Sequence, residues 1–335
     1  MKISRRHFLG TTALGSLAAR SLMAAPGHAP SVAEPAGKTA IPTRVLGKTG
    51  ARVSILAMGA GSRFLMYKED DQAIEAMQKA LDLGITYIDT SDDYGKDYLS
   101  ERRVGQAIKG RREGIFLATK LSNRDGSQSR RIVEESLKAL QLDHVDLLHI
   151  HSLTTEDDLA RIEAKGGVLE QVMKMRDDKL TRFIGITSHT DPTVLQTALE
   201  RHDFDCTQMA LNGAMVGMKS GQGGMVPNEA MKTSFQTLAL PVANRKKMGV
   251  LAMKVFAQEA LNGQAPTDKI LYYAMSLPIT AAVVGMPKVE HIEENVRLAK
   301  AFQPLPPDEM KRMSDSLSQK NKQALDIFFS THVDA

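Results

Sequence analysis

The sequence predicts an α/β fold, a (β/α)8 TIM barrel that is followed by an extra C-terminal helix. Two observations support this fold class. Apolar runs of strand length alternate with amphipathic runs of helical length after residue 43, and eight strands that alternate with helices suit a closed parallel barrel. The G-x-G-x-x-G motif of an open dinucleotide-binding sheet does not occur early in the chain, because Gly59-Ala60-Gly61 is too short a match.

The predicted elements follow one another regularly. The strands are residues 53–60, 86–90, 115–121, 145–151, 183–188, 207–212, 250–255 and 281–284. The helices are residues 71–83, 100–109, 129–140, 159–179, 192–202, 267–276 and 291–302. Asp191 and Pro192 mark a helix start, since they supply an N-cap side chain and then a residue that lacks an N–H. Residues 307–330 carry apolar side chains at helical spacing, which predicts a further helix against the barrel wall.

Length and composition fit one large domain. The chain has 335 residues, 42% of them hydrophobic, which is enough for a sizeable core. The net charge of +4 comes from residues 1–33, which hold four basic residues and no acidic one, so 39 basic and 39 acidic residues remain. This balance argues against a nucleic-acid partner. The single cysteine, Cys206, opens an apolar strand and is expected to be a small buried hydrophobe.

Polar residues stand at the ends of three successive predicted strands. Asp89 and Tyr94 follow the first, Lys120 ends the second and His151 ends the third. The carboxyl ends of the strands and the loops after them form the reactive face of such a barrel. Each residue alone is more often a turn or a solvated strand end, but all four in this order are hard to obtain by chance. A phenol titrates near ~10 and is a poor acid at neutral pH, so Tyr94 needs a cation beside it.

Four stretches resemble those of the aldo-keto reductase superfamily: YIDTSDDYGKDYLSERRVGQAI, FLATKL, VDLLHIHS and GMPKVEHIEEN. The resemblance covers nearly everything after about residue 40. It implies that residues 44–51 form an N-terminal hairpin under the barrel, and that the protein reduces aldehydes or ketones to alcohols with NAD(P)H. It also implies the roles of the four residues: Tyr94 is the general acid, Lys120 lowers its pKa, Asp89 holds that lysine, and His151 orients the carbonyl oxygen.

The same resemblance implies where a cofactor binds. In similar enzymes a Ser-Asn pair and a Gln hold the nicotinamide carboxamide, and here those positions are Ser188, His189 and Gln208. Relatives often stack a tyrosine on the nicotinamide near the end of the seventh strand, where this chain has Met253 and then Lys254. Lys254 is expected to reach the cofactor phosphates instead.

The adenosine-phosphate segment is expected at residues 285–295, where the start of a helix is a natural anion site. Glu294 and Asn295 match the adenine-contacting pair. His291 replaces the arginine that many relatives place on the 2′-phosphate, which leaves Lys288 as the nearest cation; Gly285 opens the segment. NADP is the expected cofactor, with NAD as the alternative.

Residues 1–33 are interpreted as a signal peptide. They combine Lys2, Arg5 and Arg6 with an apolar stretch at 8–25 and a small-x-small site at 31–33. Residues 4–9 resemble a twin-arginine export signal, so the twin-arginine translocation machinery is an expected partner. The predicted organisation is a signal peptide at 1–33, a linker at 34–42 and a barrel at 43–335, with a periplasmic or otherwise exported product that folds in the cytoplasm first. A stable membrane anchor is not expected, because the apolar stretch is short and interrupted by Arg20.

Two other functions compete with carbonyl reduction. His149 and His151 point to the same side of a strand, as in many metal-dependent barrel hydrolases. A nucleotide-binding barrel without turnover is the second alternative.

The segment 213–227 is predicted as a long loop, with five glycines and three methionines. It is either a flexible connection or an adaptable wall of the substrate pocket. We expect it to influence substrate choice.

Overall fold

The computed structural model describes residues 40–318 except 222, 223 and 229. The predicted signal peptide lies outside these residues. The strands are β1 (Thr43–Val45), β2 (Arg52–Ser54), β3 (Leu56–Gly59), β4 (Tyr87–Asp89), β5 (Phe116–Leu121), β6 (Val145–Ile150), β7 (Thr181–Ser188), β8 (Cys206–Ala210), β9 (Gly217–Gly221), β10 (Gly224–Asn228), β11 (Gly249–Met253) and β12 (Ala281–Gly285). The α-helices are α1 (Asp70–Asp82), α2 (Leu99–Ala107), α3 (Gly126–Leu140), α4 (Glu156–Glu163), α5 (Val168–Asp177), α6 (Pro192–Arg201), α7 (Ala239–Arg245), α8 (Thr267–Ser276) and α9 (Val289–Lys300).

Eight parallel strands close into a barrel in the order β3, β4, β5, β6, β7, β8, β11 and β12. Strand β12 pairs with β3, so the sheet has no free edge. The predicted (β/α)8 fold is therefore confirmed. Residues 307–318 are also helical, and Leu317 is buried there. The rest of the predicted C-terminal helix lies outside the described residues.

The predicted strand 53–60 is in fact two strands that separate at Ile55. Strand β2 pairs with β1 in an antiparallel hairpin, while β3 enters the barrel. Ser54, the last residue of β2, exchanges hydrogen bonds with Thr86, from Ser54 N to Thr86 Oγ1 at 2.9 Å and from Thr86 N to Ser54 Oγ at 3.0 Å. These contacts redirect the chain from the hairpin into the barrel wall.

The prediction of a single helix at 159–179 was wrong. The structure has two helices there, α4 and α5, which Gly166 and Gly167 separate. Gly166 has a φ of +72°, and the extended Gly167 is the N-cap of α5. Because a left-handed residue cannot continue a helix, the chain turns at this point.

The predicted loop at 213–227 contains a β-hairpin made of β9 and β10. Met218 is fully buried and Met225 packs against the core, so the hairpin is attached to the barrel by its methionines.

The barrel interior is filled by side chains. Tyr87 stacks on Phe116, with ring centroids 5.4 Å apart. Cys206 is fully buried, as predicted, and burial raises the pKa of its thiol. At the bottom, Leu46 fills the space above Gly249, where a Cβ would lie 2.6 Å from the leucine side chain. Among the described residues, no helix combines the length and apolar character of a membrane span.

Candidate active site

A buried ion pair joins two neighbouring strands at the carboxyl end of the barrel. Lys120 Nζ donates to Asp89 Oδ2 at 2.8 Å and to the carbonyl oxygen of Thr90 at 2.7 Å. Gln208 Nε2 donates to the same Asp89 oxygen at 3.3 Å. Burial disfavours the ammonium, but the charges of Asp89 and Tyr94 and the hydrogen bonds to them together outweigh it, so the pKa of Lys120 is raised. Lys120 therefore stays protonated.

Tyr94 lies directly against this lysine. The ammonium nitrogen is 4.6 Å from the centroid of the phenol ring. Gly61 leaves room for the phenol ring because it has no side chain. A Cβ at this position would lie 3.2 Å from Tyr94 Cε2. Burial raises the pKa of Tyr94 to about 12, although the charge of Lys120 lowers it. The expected effect of Lys120 is present, but burial is larger and the net shift of the pKa is upward.

His151 packs edge-on to Tyr94, with ring centroids 5.6 Å apart. Its Nδ1 is engaged by Ser122 Oγ at 2.8 Å and by Asp93 Oδ1 at 3.3 Å. This leaves Nε2 for a substrate. Arg124 supports the backbone here, because its guanidinium donates to the carbonyl oxygen of His151 at 2.6 Å.

A cavity of about 960 Å³ opens beside these residues. It is lined by most of the residues predicted from the sequence to act in catalysis or in cofactor binding: Asp89, Tyr94, His151, His189, Gln208, Lys254, Gly285, His291, Glu294 and Asn295. Lys120 lies beneath the wall and is 1% exposed. The cavity therefore runs from the four polar residues to the start of α9.

Two residues from the cofactor prediction do not line this cavity. Ser188 is fully buried, and its Oγ donates to the carbonyl oxygen of Leu153 at 2.7 Å. Lys288 is exposed at the N-cap of α9. His189 does line the cavity, where burial lowers its pKa to about 3, with smaller contributions from Lys254 and His151. A neutral His189 offers one donor and one acceptor.

The sequence interpretation missed a group of lining residues around Arg63. Arg63 Nε lies 3.1 Å from Glu259 Oε1, and the pair lines the same cavity. Lys254 Nζ donates to Gln258 Oε1 at 3.1 Å. Arg63 could have been found from its place just after the first barrel strand, on the face that carries the other site residues. Glu259 and Gln258 lie in a left-handed stretch that the sequence pattern does not reveal.

Lys254 is a partly buried cation in the cavity wall. Burial, with smaller contributions from the charges of Arg63 and Lys120, lowers its pKa to about 8. An anion bound between Lys254 and Arg63 would favour the charged form of the lysine. This part of the cavity therefore suits a phosphate group.

The residues present fit a nicotinamide dinucleotide. Gln208 Oε1 is buried and has no hydrogen-bond partner among the described residues, although its side chain lines the cavity. A carboxamide N–H₂ is a suitable donor for it. At the other end the start of α9 presents His291, Glu294 and Asn295 to the cavity. Helix starts attract phosphate oxygens.

His149 is not placed as a metal ligand. Both of its ring nitrogens are buried without a partner among residues 40–318, as far as these are described. Burial, together with Lys120 and His151, lowers its pKa well below the usual value, so the ring is neutral. A Cβ at Gly185 would lie 2.4 Å from its Nδ1, which shows that a glycine makes room for the ring.

A parallel barrel with a buried lysine, a tyrosine and a histidine beside a dinucleotide-sized cavity defines an NAD(P)-dependent oxidoreductase. The Aldo/keto reductase family model matches residues 56–222. The uncharacterized oxidoreductase YqkF of Bacillus subtilis is 27% identical over 307 residues, which span 82% of this chain and 96% of that protein. L-galactose dehydrogenase of Arabidopsis thaliana is 29% identical over 285 residues, which span 77% and 88%.

A solved structure agrees with these relatives. An aldo-keto reductase from Klebsiella pneumoniae in complex with NADPH has a TM-score of 0.64 at 21% identity, over 82% of this chain and 94% of that chain. The likeness shows a common fold. The chain belongs to the aldo-keto reductase superfamily.

Proposed function

We propose that this enzyme reduces aldehyde or ketone groups to alcohols with NADPH, and that Tyr94 supplies the proton. The observation that carries the assignment is the position of Lys120, which is bonded to Asp89 and lies over the ring of Tyr94. A lysine held charged beside a phenol stabilises the phenolate that remains after proton transfer. No other described tyrosine has this arrangement at the cavity.

The residues act on the carbonyl oxygen. Bound NADPH supplies the hydride that adds to the carbonyl carbon. Tyr94 gives its hydroxyl proton to the oxygen, and Lys120 stabilises the resulting phenolate. His151 packs edge-on to the tyrosine and would donate from Nε2 to the same oxygen, which orients the substrate. Because Tyr94 has a pKa near 12 in the absence of ligands, it remains protonated and ready to donate at neutral pH.

The preference for NADP rests on the cavity and on the relatives. The similar Klebsiella pneumoniae enzyme was solved with NADPH. In this chain Gln208 and His189 would hold the carboxamide, Lys254 and Arg63 the diphosphate, and His291 with Asn295 the adenosine end. Ser188 and Lys288, which lie off the cavity, are left out of this set.

Tyr94→Phe tests the assignment. We expect turnover of a panel of aldehydes, ketones and aldoses to fall by about 10²- to 10⁴-fold, the usual contribution of a positioned acid. NADPH binding, followed by enhancement of cofactor fluorescence, should persist. Tyr98→Phe is the matched control, since Tyr98 is close in sequence but does not line the cavity, and it should keep full activity.

Three results would contradict the proposal. Undiminished reduction by Tyr94→Phe would exclude Tyr94 as the acid. Tight NADPH binding without turnover on the whole panel would favour the nucleotide-binding barrel. Stoichiometric zinc without nicotinamide binding would favour the hydrolase.

We also propose that the protein is exported by the twin-arginine route. The support is sequence alone: Arg5 and Arg6 precede an apolar stretch that contains no acidic residue. Replacing both arginines by lysine should retain the protein in the cytoplasmic fraction, whereas Arg20→Lys should leave export unchanged. Equal distribution of both variants would refute the route.

A further inference from the structure

The environment of His151 Nδ1 contains a feature that carbonyl reduction does not by itself require. Ser122 Oγ, Ser91 Oγ and Asp93 Oδ1 lie 2.8, 3.3 and 3.3 Å from this nitrogen. A second carboxylate, Asp92, lies behind the serines. The imidazole of His151 therefore has two carboxylates near its Nδ1 atom.

The hydrogen-bond directions in this cluster determine where the imidazole carries its hydrogen. Ser122 Oγ donates its only hydrogen to Asp92 Oδ1 at 2.7 Å, so it has only lone pairs to offer His151. Ser91 Oγ donates its hydrogen to Asp93 Oδ1 at 2.7 Å, so it also has only lone pairs to offer His151. Asp93 is itself an acceptor. All three neighbours require that Nδ1 be the donor.

This requirement restricts what Nε2 can do. A neutral imidazole with its hydrogen on Nδ1 has a bare lone pair on Nε2 and cannot donate to a carbonyl oxygen. An imidazolium has a hydrogen on both nitrogens and can donate. During reduction the substrate oxygen is an acceptor, so His151 must be charged to orient it.

The surrounding charges favour that state. Asp93 lines the cavity beside His151, and the contact with the histidine outweighs burial and keeps the pKa of Asp93 below its usual range. The two other histidines that influence this region, His149 and His189, are held neutral by burial. Lys120 is compensated by Asp89. Tyr94 is neutral and Arg124 is paired with Asp158.

We propose that Asp93 is a positioning residue that holds the hydrogen of His151 on Nδ1 and acts as counterion to its imidazolium, which is the form that binds the substrate oxygen during reduction. Ser122 supports the same orientation of the ring, because its hydroxyl donates to Asp92 and accepts from His151 Nδ1.

The kinetic test compares Asp93→Asn with wild type and rests on the proposed reductase activity. Asparagine keeps the shape but removes the charge, so reduction should lose more activity at alkaline pH than at acidic pH, since a neighbouring anion favours the charged ring. Reduction at pH 8 should fall by about tenfold, and oxidation at the same pH should fall by the same factor, because the equilibrium constant fixes the ratio of the two rates when cofactor binding is unchanged. Asp93→Glu should restore the profile in part. A loss of activity that is equal at all pH values would show a purely structural role and overturn the proposal.

Asp143→Asn is the matched control. Asp143 Oδ1 lies 2.7 Å from His144 Nδ1 in an exposed Asp-His pair outside the cavity. This variant should leave the pH profile of turnover unchanged.

A second measurement does not depend on turnover. In whole protein with ¹⁵N-labelled histidine, the His151 signals, assigned with His151→Gln, should show the neutral ring with its hydrogen on Nδ1. At pH 7 the share of charged ring should be smaller in Asp93→Asn than in wild type. A neutral ring with its hydrogen on Nε2, or an unchanged share of charged ring in Asp93→Asn, would refute the proposal even if the enzyme proved to have another substrate.

Discussion

The ammonium nitrogen of Lys120 lies 4.6 Å from the centroid of the Tyr94 ring, over its face. A cation in this position is attracted to the ring and also stabilises a negative charge on the phenol oxygen. The same ammonium is bonded to the buried Asp89. The catalytic acid and a buried ion pair therefore form one structural unit, and changes to one affect the stability of the other.

Lys120→Met should remove activity and also destabilise the protein. The substitution leaves the Asp89 carboxylate buried without its cation, which typically costs about 3–5 kcal/mol in the free energy of unfolding. Adding Asp89→Asn to this variant should restore part of the stability without restoring turnover. Denaturant unfolding and NADPH consumption measure the two effects separately.

The control for this experiment is Lys79→Met, which breaks the surface ion pair with Glu293 at 2.9 Å. It should change the free energy of unfolding by no more than about 1 kcal/mol. If the double variant is no more stable than Lys120→Met, the ion-pair explanation is wrong.

Glu101 should make the protein less stable at alkaline pH. The residue is fully buried on α2, and burial raises its pKa to about 7, although a hydrogen bond from Thr119 lowers it. A carboxyl group with a raised pKa contributes stability below its unfolded value, near ~4.3, and that contribution is lost as the pH rises through the folded value. The expected loss between pH 5 and pH 8 is about 2.5 kcal/mol.

Glu101→Gln should flatten this dependence when unfolding by urea is measured at both pH values. Glu134→Gln, on an exposed position of α3, should retain the slope of wild type. Identical slopes for the two variants would show that Glu101 is not the group responsible.

Met225→Ala should change the relative rates across a carbonyl panel. Met225 belongs to strand β10 and lines the cavity, so its loss enlarges the cavity beside the reacting centre. We expect bulky ketones to gain by several-fold over small aldehydes, with NADPH binding unchanged. Lys219→Ala changes an exposed residue of the partner strand β9 and should leave the order of rates intact. The hairpin has no role in selection if both variants, and deletion of residues 217–224, preserve the wild-type order.

His291→Arg should strengthen the preference for NADPH. His291 lines the adenosine end of the cavity, whereas Lys288 lies outside it. A guanidinium at position 291 can bind a 2′-phosphate with two hydrogen bonds, which should lower the KM for NADPH several-fold and leave the KM for NADH unchanged. Lys288→Ala should affect neither value. A larger effect of Lys288→Ala than of His291→Arg would place the phosphate elsewhere.

The structure brings together those predicted site residues that stand at strand ends. Asp89, Lys120 and His151 come together because parallel strands in a barrel bring their carboxyl ends to one face. The cofactor prediction was less complete. Arg63 and Glu259 come from segments almost two hundred residues apart in sequence, and a local pattern does not report such pairs.

Local chemistry also explains the errors in the element boundaries. The two glycines at 166 and 167 divide a helix whose apolar spacing continues across them, so periodicity alone suggested one element. The hairpin strand ends at Ser54, which is hydrogen-bonded to Thr86, the residue just before β4 and distant in sequence. The net pKa of Tyr94 could not be predicted either, since it depends on how far the folded chain buries the phenol.

The amino-acid sequence by itself determined the alternation of strands and helices, the barrel they form and the order of the four polar residues, because periodicity and strand-end position are local properties. Only the tertiary structure decided which groups face one another across the cavity, since burial, ion pairing and hydrogen-bond direction arise when distant segments meet. The acceptors around His151 Nδ1 illustrate this difference: each is an ordinary serine or aspartate in the sequence, and only their common orientation determines the charge state of the ring.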